Sequence, residues 1–95
     1  MIYVYILLCS DGSYYTGVTN NLYLRLFQHE MGEVPRCYTY SRRPLKLVYY
    51  EEYQNPIDAI RREKQIKGWS RAKKEALIRG EYEELPKLSK SSHAS

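Results

Sequence analysis

The feature that most narrows the fold is a tripeptide, Ser10-Asp11-Gly12, set between two runs that both read as strand. Before it, Ile2-Tyr3-Val4-Tyr5-Ile6-Leu7-Leu8-Cys9 is apolar, of strand length, and rich in β-branched and aromatic residues. After it comes Tyr14-Tyr15-Thr16-Gly17-Val18-Thr19. Asp-Gly marks a hairpin turn, and it permits two registers. A two-residue turn at Asp11-Gly12 would send Tyr5 and Tyr15 to opposite faces, because the side-chain period of a strand is two. A three-residue loop over 10–12, with Gly12 left-handed at a bulge, pairs Tyr5 with Gly17 and Leu7 with Tyr15. The second register is the one expected. It gathers Tyr5, Tyr15 and the bare backbone of Gly17 on one face, leaving room for a substrate beside two phenols.

Helix signals follow the hairpin. Asn20 or Asn21 can cap a helix from about Leu22 to Met31 that stops at Gly32. Leu22, Tyr23, Leu26, Phe27 and Met31 form its expected apolar stripe. Arg25 and His29 are four apart, so a permanent cation and an imidazole that titrates near neutrality project from one edge. The segment from Glu33 to Arg43 interleaves Pro35, Arg36, Tyr38, Tyr40, Arg42 and Arg43, a mixture suited to a backbone phosphate with a neighbouring base or to an ordinary solvated loop. Pro44 introduces a third strand over Leu45 to Glu52, in which Leu45, Leu47 and Tyr49 should share a face against the helices.

Asn55-Pro56 starts a second helix, running to about Lys67. Ala59, Ile60 and Ile66 share its apolar side, and Glu63 falls in the middle of that stripe. A carboxylate there costs several kcal/mol if unpaired, so it has a partner or a purpose. Gly68-Trp69 breaks the helix and Ser70 caps a third, Arg71 to Arg79, with Ala72, Ala76, Leu77 and Ile78 as its apolar side. The order β-β-α-β-α-α predicts an α+β domain over residues 1–80, a small three-stranded antiparallel sheet flanked by helices. Residues 81–95 read as a polar tail, largely disordered, and His93 within it is no candidate ligand.

Composition sets bounds on function. Fifteen Lys and Arg against eleven Asp and Glu give +4, which favours an anionic partner, although small soluble domains are often this basic. Eleven tyrosines exceed what a core of this size needs, which points some of them to a surface that meets bases or sugars, while Tyr49 and Tyr50 read as plain strand residues. Cys9 and Cys37 lack the spacing of a zinc site. No run approaches the roughly 20 apolar residues of a membrane span, and the chain opens without a basic leader, so cytoplasmic residence is the expectation.

Tyr5, Tyr15-x-Gly17, Arg25 eight residues beyond that glycine, His29 one turn later and a helical Glu63 together resemble the GIY-YIG nuclease superfamily. With Glu63-Lys64 followed directly by Gln65-Ile66-Lys67-Gly68-Trp69, the chain looks most like the small standalone bacterial members. The resemblance spans roughly residues 2 to 80. It implies a metal-dependent endonuclease acting on DNA, with RNA as the other substrate class, or a catalytically weak or inactive nucleic-acid-binding module on the same fold. It implies Tyr5, Tyr15, Arg25, His29 and Glu63 as the catalytic set, and Glu63 as ligand for one divalent metal, Mg²⁺ before Mn²⁺. Arg25 would brace phosphoryl oxygens, a phenol would orient or deprotonate the water (Tyr5 first, Tyr15 as its partner), and His29 would support the proton network. Gly17, Arg36, Tyr38, Arg42, Arg43, Lys64 and Lys67 are the expected nucleic-acid contacts. The departures are Tyr3-Val4-Tyr5 in place of Gly-Ile-Tyr, Thr16 in place of the second motif's Ile, and no Asn beyond Asn55. Without an appended DNA-binding domain, binding should be weak and salt-dependent, and targeting would fall to a protein partner.

Overall fold

The computed structural model describes residues 1–33 and 38–81. Strands β1 (Ile2–Leu8), β2 (Tyr14–Thr19) and β3 (Lys46–Tyr53) form one antiparallel sheet in the order β2-β1-β3. Helix α1 (Leu22–Glu30) follows the hairpin, and α2 (Pro56–Lys67) and α3 (Arg71–Ile78) follow β3, which is the α+β arrangement expected. The hairpin adopts the three-residue loop. Tyr5 pairs with Gly17 and Leu7 with Tyr15, and Gly12 takes φ +85°. The Cys9 amide donates to the Ser13 carbonyl at 2.8 Å and closes the loop.

Each helix begins where a side chain can accept an orphan amide. Asn21 accepts from Leu24 N–H at 3.0 Å, Asn55 from Ile57 N–H at 2.9 Å, and Ser70 from Lys73 N–H at 3.2 Å. Gly32, at φ +70°, terminates α1, since only glycine enters that conformation cheaply.

Strand parity divides the sheet into two faces. Val4 and Ile6 point to one, where Ala59 and Ile66 of α2 and Leu77 of α3 complete the core. Each large aliphatic buried there contributes about 1.5–3 kcal/mol. Tyr3, Tyr5 and Leu7 point to the other face, towards α1.

Three packing expectations are corrected. In β3 the ladder slips between Ile6, which faces Tyr49, and Leu7, which faces Leu47, so Val48 is an extra residue. That bulge inverts parity. Leu47 joins the Tyr5 face, whereas Tyr49, Glu51 and Tyr53 turn towards α2. In α1 the inward stripe is Leu22, Arg25, Leu26 and His29, rotated one position from the expected one, and it leaves Tyr23, Phe27 and Met31 exposed. The side of α1 that turns inward is thus the one carrying Arg25 and His29, at the expense of its apolar residues. In α2 and α3, Ile60 and Ala72 are exposed, because Ala59, Glu63 and Ile66, and then Ala76 and Leu77, take the buried positions.

Candidate active site

The face carrying Tyr5 supports a compact aromatic cluster. Tyr5 Oη lies 3.0 Å from His29 Nε2, and His29 Nδ1 lies 2.7 Å from Thr39 Oγ1. All three residues are sealed, with Tyr5 1% and His29 2% exposed. The half-buried Tyr15 packs edge-on against His29 at 5.3 Å and tilts against Tyr5 at 6.3 Å. Outside Tyr15, Tyr38 stacks at 6.4 Å with an 18° interplanar angle, and the Arg42 guanidinium covers Tyr38 at 3.8 Å. The result is a column from solvent to core: Arg42, Tyr38, Tyr15, and then the Tyr5–His29–Thr39 chain.

Gly17 makes the column possible. A Cβ there would stand 2.5 Å from Tyr5 Oη and 2.6 Å from Cζ, so the room the sequence reading gave to a substrate is filled by the Tyr5 ring. Gly17→Ala is expected to push that ring off His29 and to cost about 1–3 kcal/mol, as overpacking does. Urea unfolding of the variant checks the loss. Adding Tyr5→Ala should recover part of it, because the clash has gone; strict additivity of the two changes would contradict the contact.

Burial, and then the positive charge of Arg25, hold the His29 pKa below its ordinary value of 6.5. The imidazole is therefore neutral in the fold, with one nitrogen donating and the other accepting between Tyr5 and Thr39. In the unfolded chain it would accept a proton near pH 6.5. Its stabilising contribution is thus complete above that value and is lost as pH falls from there towards the folded pKa. Unfolding midpoints measured between neutral pH and about pH 5 should fall for the wild type and fall less for His29→Gln.

The other predicted contacts vary in what holds them. Arg42 donates to Asp11 Oδ2 at 3.0 Å and to the Tyr38 carbonyl at 2.8 Å, tying its segment to the hairpin turn. Ser13's hydrogen bonds, aided by Arg42, keep the Asp11 carboxyl below its ordinary range despite some desolvation. Arg43 donates to the carbonyls of Tyr40 and Glu30. Lys64 is exposed. Arg36 and Cys37 lie outside the described residues, as do residues 82–95 with His93.

Glu63 stands on α2, the helix that packs against the Val4–Ile6 face. Its side chain is only 10% exposed, and Oε2 meets Lys67 Nζ at 2.5 Å. On that same face the buried Thr16 hydroxyl has no hydrogen-bond partner among the described residues. So Tyr5, Tyr15, His29 and the charge of Arg25 are gathered on one face of the sheet, with Tyr38 at the mouth, while Glu63 stands on the helix that covers the other face, a buried carboxylate paired with the exposed Lys67. Thr39 was missed, because a threonine ten residues beyond a histidine carries no local signal. Asp11 was read only as a turn residue.

Over residues 1–76 the chain matches the GIY-YIG catalytic domain, and it belongs to that family. Among similar proteins is the UPF0213 protein of Syntrophus aciditrophicus, 49% identical over 77 residues, which cover 81% of this chain and 88% of that one. The UPF0213 protein of Natronomonas pharaonis is 44% identical over 79 residues, covering 83% and 92%. The solution NMR structure of a UPF0213 protein from Bacillus halodurans superposes with a TM-score of 0.54 at 42% identity, covering 82% of this chain and 83% of that chain. Among the described residues, no helix is long and apolar enough to cross a membrane.

Proposed function

We propose that this chain hydrolyses phosphodiester bonds in DNA with one divalent cation, and with little sequence preference of its own. The observation that carries the reading is the buried Tyr5–His29 hydrogen bond with Arg25's charge beside it and Tyr15 at its outer side. A half-buried phenol, Tyr15, backed by the sealed Tyr5–His29 pair and next to a permanent cation, suits the aiming of a water at an anionic phosphorus centre.

Among the described residues, no group of three or more His, Cys, Asp or Glu could enclose an ion, so a fully protein-ligated zinc site does not fit. Mg²⁺ keeps several waters and takes one or two carboxylates, which does fit a lone buried Glu63 whose present counter-charge is a flexible lysine. Glu63 would hold the ion. When bound, it supplies Lewis-acid polarisation of the phosphate and charge relief at the leaving oxygen.

The remaining work falls to side chains of the cluster. Tyr15 is the less buried phenol, so it takes the water-facing role that the sequence reading gave first to Tyr5; it orients the attacking water by hydrogen bonding. Tyr5, His29 and Thr39 form the rigid layer that fixes where Tyr15 stands. His29 stays neutral and holds the Tyr5 hydroxyl rather than storing a proton. Arg25 braces the phosphoryl oxygens, where a fork of donors matches charge spread over two atoms. Residues 1–80 act as this domain, with 81–95 as its tail, and the +4 charge aids capture of an anionic strand.

The burial of Tyr5 and His29, and the place of Glu63 on the helix covering the opposite face of the sheet, favour a second reading, a nucleic-acid-binding module whose site no longer cuts. A cleavage panel of single-stranded, duplex, flapped and branched DNA, in Mg²⁺, Mn²⁺ or chelator, decides between them. Cutting by wild type in metal alone, absent in Glu63→Gln, supports the nuclease. Salt-sensitive binding without cutting under any metal transfers the assignment to the module.

A further inference from the structure

A hollow lies apart from the tyrosine–histidine cluster, between the start of α1 and the sheet face beneath it. It measures about 560 Å³, within the roughly 300–1,000 Å³ of small-ligand clefts. Leucines of α1 and β3 line it together with Tyr3, Tyr23 and Tyr50, and Asn20, Asn21 and Glu52 bring polar groups. We propose that this hollow receives an unpaired nucleobase of the bound strand, preferring one whose edge presents an amine. The proposal rests on the nucleic-acid reading above and names a part of the substrate that this reading leaves open.

Three observations support a base in preference to other occupants. The first is the tyrosines. Tyr23 is 91% exposed and Tyr50 is 50% exposed, so neither ring is there for core packing; Tyr50 tilts against Tyr3 with centroids 6.1 Å apart. Such rings offer stacking surface to any base, since every base has a π-face.

The second is charge. Glu52 is exposed at the hollow, and a carboxylate repels phosphate while accepting from the exocyclic amine of cytosine, adenine or guanine. The cavity therefore suits the base and not the backbone. Asn21 spends its carbonyl oxygen on the Leu24 amide, so its remaining groups are amide donors, and Asn20 is exposed beside it.

The third is continuity. Tyr3 sits two residues from Tyr5 on the same face of β1, and Tyr50 pairs directly with Tyr5 across β3. The hollow and the Tyr5–His29 cluster thus share one face of the sheet. The base that enters must be unpaired, because a base within a duplex has its faces stacked and its edge occupied.

Fluorescence anisotropy with labelled decamers at low salt tests the assignment on the full-length chain. The probes are oligo-dC, oligo-dT and an abasic deoxyribose-phosphate decamer. Wild type should bind oligo-dC more tightly than oligo-dT, and both more tightly than the abasic strand. Tyr23→Ala and Tyr50→Ala should each weaken oligo-dC roughly 5- to 150-fold, the range for losing one stacking partner, and leave the abasic strand unchanged. Tyr23 is so exposed that its truncation does not threaten folding. Glu52→Gln should narrow the gap between dC and dT. Tight oligo-dC binding indifferent to both tyrosine variants, or an equal loss for the abasic strand, would overturn the base pocket and leave the nuclease reading intact. Absence of binding to every decamer would instead sink the nucleic-acid reading, and this inference with it. A concentration-dependent doubling of mass abolished by Tyr23→Ala would give the hollow to a second copy of the chain and also overturn the proposal.

Discussion

Glu63→Gln is expected to lower metal-dependent cleavage by at least about a hundredfold while leaving the unfolding free energy where it is or slightly higher. The first half follows from the proposed role. The amide keeps the size of the side chain and removes the charge that would hold the cation, and charge relief at a phosphoryl centre is worth several kcal/mol. The second half follows from what surrounds the carboxylate. Glu63 is nearly buried, and its ion-pair partner Lys67 is itself 54% exposed, so the pair offsets little of the cost of burying the charge. A neutral amide avoids that cost. Cleavage measured on the preferred substrate, beside urea unfolding of the same preparation, separates the two effects. A variant that cuts as well as wild type would remove Glu63 from the chemistry. One that loses several kcal/mol of stability would make it a structural residue whose loss of activity is secondary.

How much of this was legible depended on whether a signal was local. Asp11-Gly12 between two strand-like runs was enough to fix the Tyr5–Gly17 register, because a hairpin's turn length determines its pairing and its neighbours supply the faces. Asn21, Asn55 and Ser70 could be read as caps because a cap acts within three residues. Tyr5, Tyr15 and His29, singled out from the hairpin register and the helix that follows it, are neighbours in the fold. The bulge at Val48 was not legible. Nothing in Leu45 to Glu52 marks the extra residue, which is recognisable only against the partner strand. The rotation of α1 escaped for a related reason: hydrophobic periodicity assumes that apolar residues face inward, and here Arg25 and His29 take that side. Thr39 belongs to the same class, since its partner is His29 across a turn of irregular chain.

The most consequential miss was Glu51. Sequence singled out Glu63 as the buried acid needing a partner, yet the bulge places a second acid under α2 and gives it a full complement of donors. Arg62 grips Glu51 with Nε and Nη2, each at 3.0 Å to a different oxygen, and the hydroxyls of Tyr49 and Tyr53 also donate to it. Burial pushes the Glu51 pKa up, but the hydrogen bonds from Arg62, Tyr49 and Tyr53 outweigh it and hold the carboxyl below its ordinary range. Glu51→Ala strips three partners at once and leaves Arg62 half-buried without its counter-charge. The expected cost is about 3 kcal/mol, the low end for a broken buried pair because water still reaches part of this one. For a domain of this size that is a fall in Tm of more than about 10 °C. Tyr53 provides an independent reading. Desolvation, and then the hydrogen bond to Glu51, push its phenol up to about 12. Its protonated form is thus favoured in the fold, and that stabilisation is complete below pH ~10 and is lost as pH rises through about 12. In Glu51→Gln the phenol should titrate closer to 10, visible as phenolate absorbance appearing at lower pH. Activity per folded molecule should survive in Glu51→Gln, the reverse of Glu63→Gln. If Glu51→Gln instead abolished cutting at full stability, the two acids, Glu51 and Glu63, would have to exchange roles.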